Sequence, residues 1–205
     1  MRKLKFILFA LSLCATSLVF AQEESDIFTR HEVSLGYGPF FQSTSFWSPD
    51  YYSARDDYFG AISASYTYKF NKVIGIGATL AFDHNNQKIY DLRNDNVAVC
   101  NLKQNIITAL VHVKVNWVRT KIVTMYSKVG LGGSYYANNV TRLQPEEAYE
   151  IKPENLKKFD VGYSIIPVGI ELGTKQYAGF LQMGYGVEGI FSIGFRYGIN
   201  KTYKK

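Results

Sequence analysis

The sequence predicts an all-β protein, an eight-stranded antiparallel up-and-down transmembrane β-barrel. Eight segments alternate bulky apolar residues with small or polar ones, and no helical periodicity of useful length appears. Several segments exceed ten residues, and a tilted strand of about 9–11 residues is what a bilayer requires. The predicted strands cover residues 31–40, 57–70, 72–84, 104–118, 121–136, 158–172, 177–185 and 189–199.

The first 21 residues have the pattern of a secretory signal peptide. Basic residues up to Lys5 precede an uncharged apolar run over 6–20, and the small Ala21 ends it. We expect Sec-type export, cleavage after Ala21 and one barrel domain over 22–205. The alternative is a lipoprotein signal at Cys14, but a leucine precedes this cysteine where a small residue is required.

Charge and cysteine content narrow the classes of function. Removing the signal takes away three basic residues and no acid, so the net charge falls from +6 to about +3. This mild surplus does not favour nucleic acid as a partner. Cys100, in the predicted second external loop, is then the one remaining cysteine and cannot form an intrachain disulfide. It is either a quiet loop residue or a reactive thiol.

The second predicted strand shows the alternation clearly. One face is mainly aromatic and aliphatic: Tyr58, Gly60, Ile62, Ala64, Tyr66, Tyr68 and Phe70. The other is mostly small or polar: Phe59, Ala61, Ser63, Ser65, Thr67 and Lys69. The fourth strand repeats the pattern, with Ile107 and Val111 opposite His112, and so does the eighth, with Phe195 opposite Arg196.

The sixth predicted strand needs a β-bulge. The phase set by Val161 and Ile165 would place Glu171 on the apolar face. Pro167 cannot donate a ladder hydrogen bond, and a bulge beside it would shift the apolar phase to Ile166, Val168, Ile170 and Leu172. We therefore expect Glu171 to point inward.

The connections and the aromatic residues predict a topology in the membrane. Turns after the second, fourth and sixth strands are short, and loops after the first, third and fifth are long, which is typical of outer-membrane barrels with periplasmic turns. The connection at 186–188 is a short exception. Two girdles of rings follow from this topology. The periplasmic one holds Tyr68, Phe70, Trp117 and Tyr197, and the outer one holds Phe40, Tyr58, Phe82, Tyr135 and Phe159.

The residues opposite the apolar face decide which face meets lipid. They are mostly Gly, Ser, Thr and Ala, which suit a narrow lumen better than a water-exposed surface. The charged and polar residues expected in this lumen are Lys69, Asp83, His112, Lys114, Lys128, Glu171 and Arg196. We expect Glu171 to bond Arg196 or Lys114, because a lone buried charge is costly.

The chain also resembles a known family. The glycine and aromatic spacing of the closing runs 179–186 and 189–197 is similar to that of small outer-membrane proteins of the OmpA/OmpX-like β-barrel superfamily. The resemblance implies a bacterial outer-membrane location, contact with outer-membrane lipid and assembly by the barrel-assembly machinery. Such barrels usually end on an aromatic residue, whereas here Tyr203 is followed by two lysines.

We expect a non-enzymatic, monomeric barrel with a narrow filled lumen, no cofactor or metal, and a structural or surface-interaction role. One alternative is an enzyme acting on lipid A or phospholipid, for which His84 beside Asp83 is the candidate pair. Another is a soluble exported lipocalin-like barrel. The first external loop holds an aromatic cluster, either a contact surface for an extracellular partner or an interface anchor. Its residues are Phe46, Trp47, Tyr51 and Tyr52.

Overall fold

The computed structural model describes residues 29–38, 52–91, 97–143 and 157–199, with the backbone alone at 52–58, 87, 89, 91, 97–99, 140 and 142. The signal peptide predicted over 1–21 and the loop residues Phe46, Trp47 and Tyr51 lie outside these ranges, and Tyr52 is described only in its backbone. Within the described ranges, no helix is long and apolar enough to cross a membrane.

Eight strands form a closed barrel in which every strand pairs antiparallel with its chain neighbours and β1 pairs with β8. The predicted eight-stranded antiparallel up-and-down barrel is therefore confirmed. The strands are β1 His31–Gly38, β2 Tyr52–Lys69, β3 Ile74–Asp91, β4 Val97–Arg119, β5 Val123–Arg142, β6 Lys157–Gly173, β7 Tyr177–Gly186 and β8 Phe191–Ile199.

Three short turns lie at one end of the barrel, as predicted. They cover residues 70–73, 120–122 and 174–176. Each is organised by a side chain that accepts backbone N–H groups further along the turn: Asn71 Oδ1 from Val73 and Ile74, at 2.8 and 2.7 Å, and Thr120 Oγ1 from Val123 at 2.9 Å. Thr174 repeats the arrangement. Local side-chain bonds of this kind make tight hairpins at these positions. We call this end the turn end.

The strands at the other end are longer than predicted. β3 and β4 continue to Asp91 and from Val97, so the connection between them covers only residues 92–96, and the expectation of a long loop there was wrong. Cys100 consequently lies in β4 with 2% of its surface exposed, not in a loop. Polar residues of low strand propensity are held by cross-strand pairing, since Gln104 pairs with Asn85 and Asn138.

The two faces of the barrel wall are as the alternation predicted over most of its length. Along β4, Ile107 and Val111 are 54% and 61% exposed, while Thr108, Leu110 and His112 are buried. β8 behaves in the same way, with Phe195 exposed and Arg196 buried. Bulky apolar side chains therefore cover the outside of the barrel, and mostly polar or small side chains line its interior, together with a few apolar ones such as Leu110.

For two residues next to bulges, Phe59 and Ile166, the face predicted from the sequence was wrong. The β2 and β3 register shifts between Tyr58 and Gly60, where Gly60 has φ of 90°, and Phe59 points outward instead of inward. A left-handed φ of this kind favours glycine. In β6 the predicted bulge is confirmed near Pro167 and Glu171 is buried, but Ile166 points inward because the phase changes only after it.

Candidate functional site

The barrel interior contains the charged groups that the sequence predicted for the lumen. Four of them and one further acid, Glu32, meet near the turn end; these five residues come from five different strands, and we call them the turn-side charge cluster. Its members are Glu32 of β1, Lys69 of β2, Lys114 of β4, Glu171 of β6 and Arg196 of β8. The cluster therefore combines three cations and two carboxylates from strands all around the barrel.

Each carboxylate of the cluster contacts more than one cation. Glu32 Oε1 lies 2.5 Å from Lys69 Nζ and 3.3 Å from Arg196 Nη1, and its Oε2 lies 3.3 Å from Lys114 Nζ. Glu171 accepts a hydrogen bond from Lys114 and lies 3.0 Å from Arg196 Nε, an ion pair without hydrogen-bond geometry. Each acid thus bridges cations on separate strands.

Arg196 also connects the cluster to the barrel rim. Its guanidinium donates to the carbonyl oxygens of Thr174 and Lys175, both at 2.9 Å, in the β6–β7 turn. The members of the cluster are 2–11% exposed, so their charges have lost most of their hydration. Removing one partner of such a group leaves an uncompensated buried charge, which is strongly destabilising. The arrangement therefore couples barrel closure to the presence of all five side chains.

A second ion pair lies further along the lumen. Lys128 Nζ of β5 donates to Glu188 Oε2 at 2.6 Å, and Gln182 Nε2 of β7 donates to the same oxygen at 2.9 Å. The Tyr126 hydroxyl donates to Gln182 Oε1 at 2.8 Å, and Lys114 Nζ lies 4.4 Å from the centroid of the Tyr126 ring. Tyr126 and Gln182 therefore join this pair to the turn-side charge cluster.

The remaining predicted lumen residues are held separately. His112 contacts Thr67 Oγ1 with Nε2 and Thr79 Oγ1 with Nδ1, both at 2.9 Å, and is 1% exposed. Asp83 is 4% exposed, and its Oδ1 has no hydrogen-bond partner. Among the seven predicted residues, five thus take part in the two ion-paired groups, and His112 and Asp83 do not.

Each histidine of the described residues contacts hydroxyl or amide groups of other side chains. His84 contacts Asn105 at 2.7 Å, whereas the neighbouring Asp83 is directed into the lumen on the opposite face of β3. His112 lies beside two hydroxyl groups in the barrel interior and is 1% exposed. Across the described parts of the chain, no group of three or more His, Cys, Asp or Glu side chains could hold a metal ion.

The free space beside these charges is small. A cavity of about 20 Å³ lies between the turn-side charge cluster and the Lys128–Glu188 pair, and Ser65, Phe180 and Gln182 contribute to its lining. About 10–15 Å³ is the least that holds one water molecule. The cavity therefore accommodates water rather than a ligand.

Sequence reasoning missed Glu32, Glu188, Tyr126 and Gln182. Glu32 alternates with Val33 and Leu35, so the rule that found Glu171 also identifies it. Glu188 follows β7 in a connection whose glycines Gly186 and Gly189 have φ of 121° and 88°. The alternation of inward and outward residues in strands does not apply to such a turn. The sequence therefore contains no signal that the Glu188 side chain points inward.

Comparison with known proteins gives similarity in fold. No family model matches the chain, and no curated protein matches it in sequence. The N-terminal β-barrel domain of OprF from Pseudomonas aeruginosa is similar in structure, with 12% identity and a TM-score of 0.45, over 84% of this chain and 100% of that domain. The attachment invasion locus protein Ail of Yersinia pestis has 10% identity and a TM-score of 0.43, over 83% of this chain and 95% of Ail.

Proposed function

We propose that the chain is an integral outer-membrane β-barrel of bacteria, non-enzymatic, with a lumen closed by its own side chains and a structural or surface-interaction role. The observation that carries the proposal is an apolar belt on the outside of the barrel. Every strand contributes a branched aliphatic side chain that is 45–64% exposed: Leu35, Ile62, Leu80, Val111, Leu131, Val161, Leu181 and Ile193.

The distribution of polarity in the barrel is the reverse of that in a soluble protein. Lys114, Glu171 and Arg196 are buried, while the aliphatic belt is exposed. Soluble monomers rarely expose contiguous apolar surface beyond a few hundred Å². In a lipid bilayer the exposed aliphatic side chains contact hydrocarbon instead of water. A closed barrel is also compatible with this environment, because it leaves no unpaired strand edge toward lipid. This argument favours the membrane barrel over a soluble lipocalin-like barrel.

The interior supports a closed lumen rather than a channel. An eight-stranded barrel is just wide enough for side chains to fill, and the cavity of about 20 Å³ is bounded by two ion-paired groups. His84 and Asp83 face opposite sides of the wall, which argues against the lipid-modifying alternative. The proposal includes export through a signal peptide over 1–21, assembly by the barrel-assembly machinery and a monomeric state.

The test is heat modifiability on purified outer membranes. A folded barrel that resists detergent migrates differently on a gel before and after boiling, and we expect this shift for the chain in the outer-membrane fraction. Recovery of a stable protein in the periplasmic fraction without detergent would contradict the proposal and favour the soluble barrel. Altered lipid A or phospholipid in a deletion strain would contradict the non-enzymatic role.

A further inference from the structure

Basic residues surround the turn end of the barrel. Each short turn carries a lysine, and two arginines lie at strand ends on the same side of the barrel; we call this set the basic rim. Its members are Arg30 before β1, Lys72 in the β2–β3 turn, Arg119 at the end of β4, Lys121 in the β4–β5 turn and Lys175 in the β6–β7 turn. Among the described residues of this end, the acids are Glu32 and Glu171, both inside the turn-side charge cluster.

Large apolar side chains stand directly beside the rim. Phe70, two residues before Lys72, is 61% exposed; Ile122, next to Lys121, is 67% exposed; Tyr177, two residues after Lys175, is 50% exposed. Rings of the same end contact one another, with centroids 5.3 Å apart for Tyr68 and Phe70. Aromatic rings in membrane proteins settle at the depth of the headgroups.

We propose that the basic rim binds the phosphate groups of anionic phospholipids in the leaflet next to the short turns; this inference rests on the proposed membrane location. The apolar neighbours of Lys72 and Lys121 fix the depth of these ammonium groups at the edge of the hydrocarbon, where lipid phosphates lie. Ammonium and guanidinium groups donate charge-assisted hydrogen bonds to phosphate oxygens.

The opposite end of the barrel differs in charge. There Lys158 Nζ lies 3.0 Å from Asp160, so exposed cations and anions are mixed along the same strand. At the turn end the acids of the described residues, Glu32 and Glu171, are buried in the lumen, so no exposed acid of the described residues lies beside Lys72 or Lys121. This separation favours an anionic surface that surrounds the whole barrel over a compact soluble ligand.

Trp117 provides a local reporter for the experiment. It lies in β4 two residues before Arg119, and the other tryptophan of the chain is Trp47. In a Trp47→Phe background, the protein is reconstituted into vesicles of phosphatidylcholine and phosphatidylglycerol in equal parts, and either one lipid or the other is brominated. Quenching of Trp117 by each brominated lipid gives the relative occupancy of the two lipids at the rim.

We expect stronger quenching by brominated phosphatidylglycerol, with a relative affinity on the order of fivefold for each lysine in contact, and a ratio that falls toward one at high salt. Lys72→Gln together with Lys121→Gln lowers the preference, because three of the five rim cations remain. The matched control, Lys88→Gln together with Lys103→Gln, changes two exposed lysines at the opposite end and keeps it. The heat-induced gel shift verifies that each variant is folded.

Equal quenching by both lipids in the parent protein, or an undiminished preference in the rim variant, would overturn this inference and leave the membrane location intact. The absence of quenching by either brominated lipid would overturn the proposed function together with it. The salt titration of the Trp47→Phe protein needs no substitution in the rim, so the inference stays testable even if the rim variant fails to fold.

Discussion

The turn-side charge cluster and the Lys128–Glu188 pair fill the same lumen but differ in what they connect. The cluster links five strands through two acids, and each acid contacts at least two cations. The pair links β5 to the connection at 187–190, and the Gln182 amide donates a further hydrogen bond to Glu188. The cluster therefore stabilises the closed cylinder, whereas the pair fixes the position of a loop inside the lumen.

The largest effect is expected from Glu171→Ala. The substitution leaves Lys69, Lys114 and Arg196 to share Glu32, so two cations lose their compensation in a desolvated site. Breaking a buried ion pair costs about 3–5 kcal/mol of unfolding free energy. Urea unfolding in lipid vesicles measures it. An unchanged midpoint would show that the cluster does not stabilise the barrel and would remove the contrast with the second pair.

A smaller effect is expected from Glu188→Gln. The substitution removes the charge that faces Lys128, but the new amide oxygen still accepts a hydrogen bond from Lys128 or Gln182. We therefore expect the free energy of unfolding to fall by about 1.5–3 kcal/mol. Hydrogen exchange at residues 187–190 should rise more than exchange in β5 and β7. Equal increases in strand and loop would contradict the assignment of this pair to loop positioning.

The smallest effect is expected from Asp160→Asn. Its ion pair with Lys158 is exposed, with side chains 42% and 52% accessible, and such pairs contribute about 0–1 kcal/mol. The same urea experiment provides the scale on which the two buried groups are judged. A loss as large as that of Glu171→Ala would show that burial does not distinguish the interior charges from surface ones.

Local alternation made most of the wall predictable. Because side chains alternate along a strand, the sequence alone places His112 and Lys114 inward and Val111 outward, without knowledge of the side chains that they contact. The same alternation places Glu32 inward. The bulge in β6 was predictable for the same reason, because Pro167 disrupts the ladder where the apolar phase changes. The face of Phe59 was not, since its bulge depends on the left-handed φ of Gly60.

The remaining features depend on contacts between distant segments. Residues 85–88, Asn-Asn-Gln-Lys, contain no strong strand former, and they are extended because the neighbouring strands β2 and β4 pair with them. Glu188 meets Lys128 sixty residues away in sequence, and only barrel closure brings them together. The roles of Phe46 and Trp47 in the first loop stay predictions.

Oxygen and nickel accessibility of spin labels on β4 tests the outward orientation of the apolar face most directly. Single cysteines replace Ala109, Val111 and Val113 in a Cys100→Ser background, and the labelled barrel is reconstituted in vesicles. We predict high accessibility to oxygen and low accessibility to a water-soluble nickel chelate at all three positions, since each faces hydrocarbon. High accessibility to the nickel chelate, indicating water around these side chains, would contradict the account.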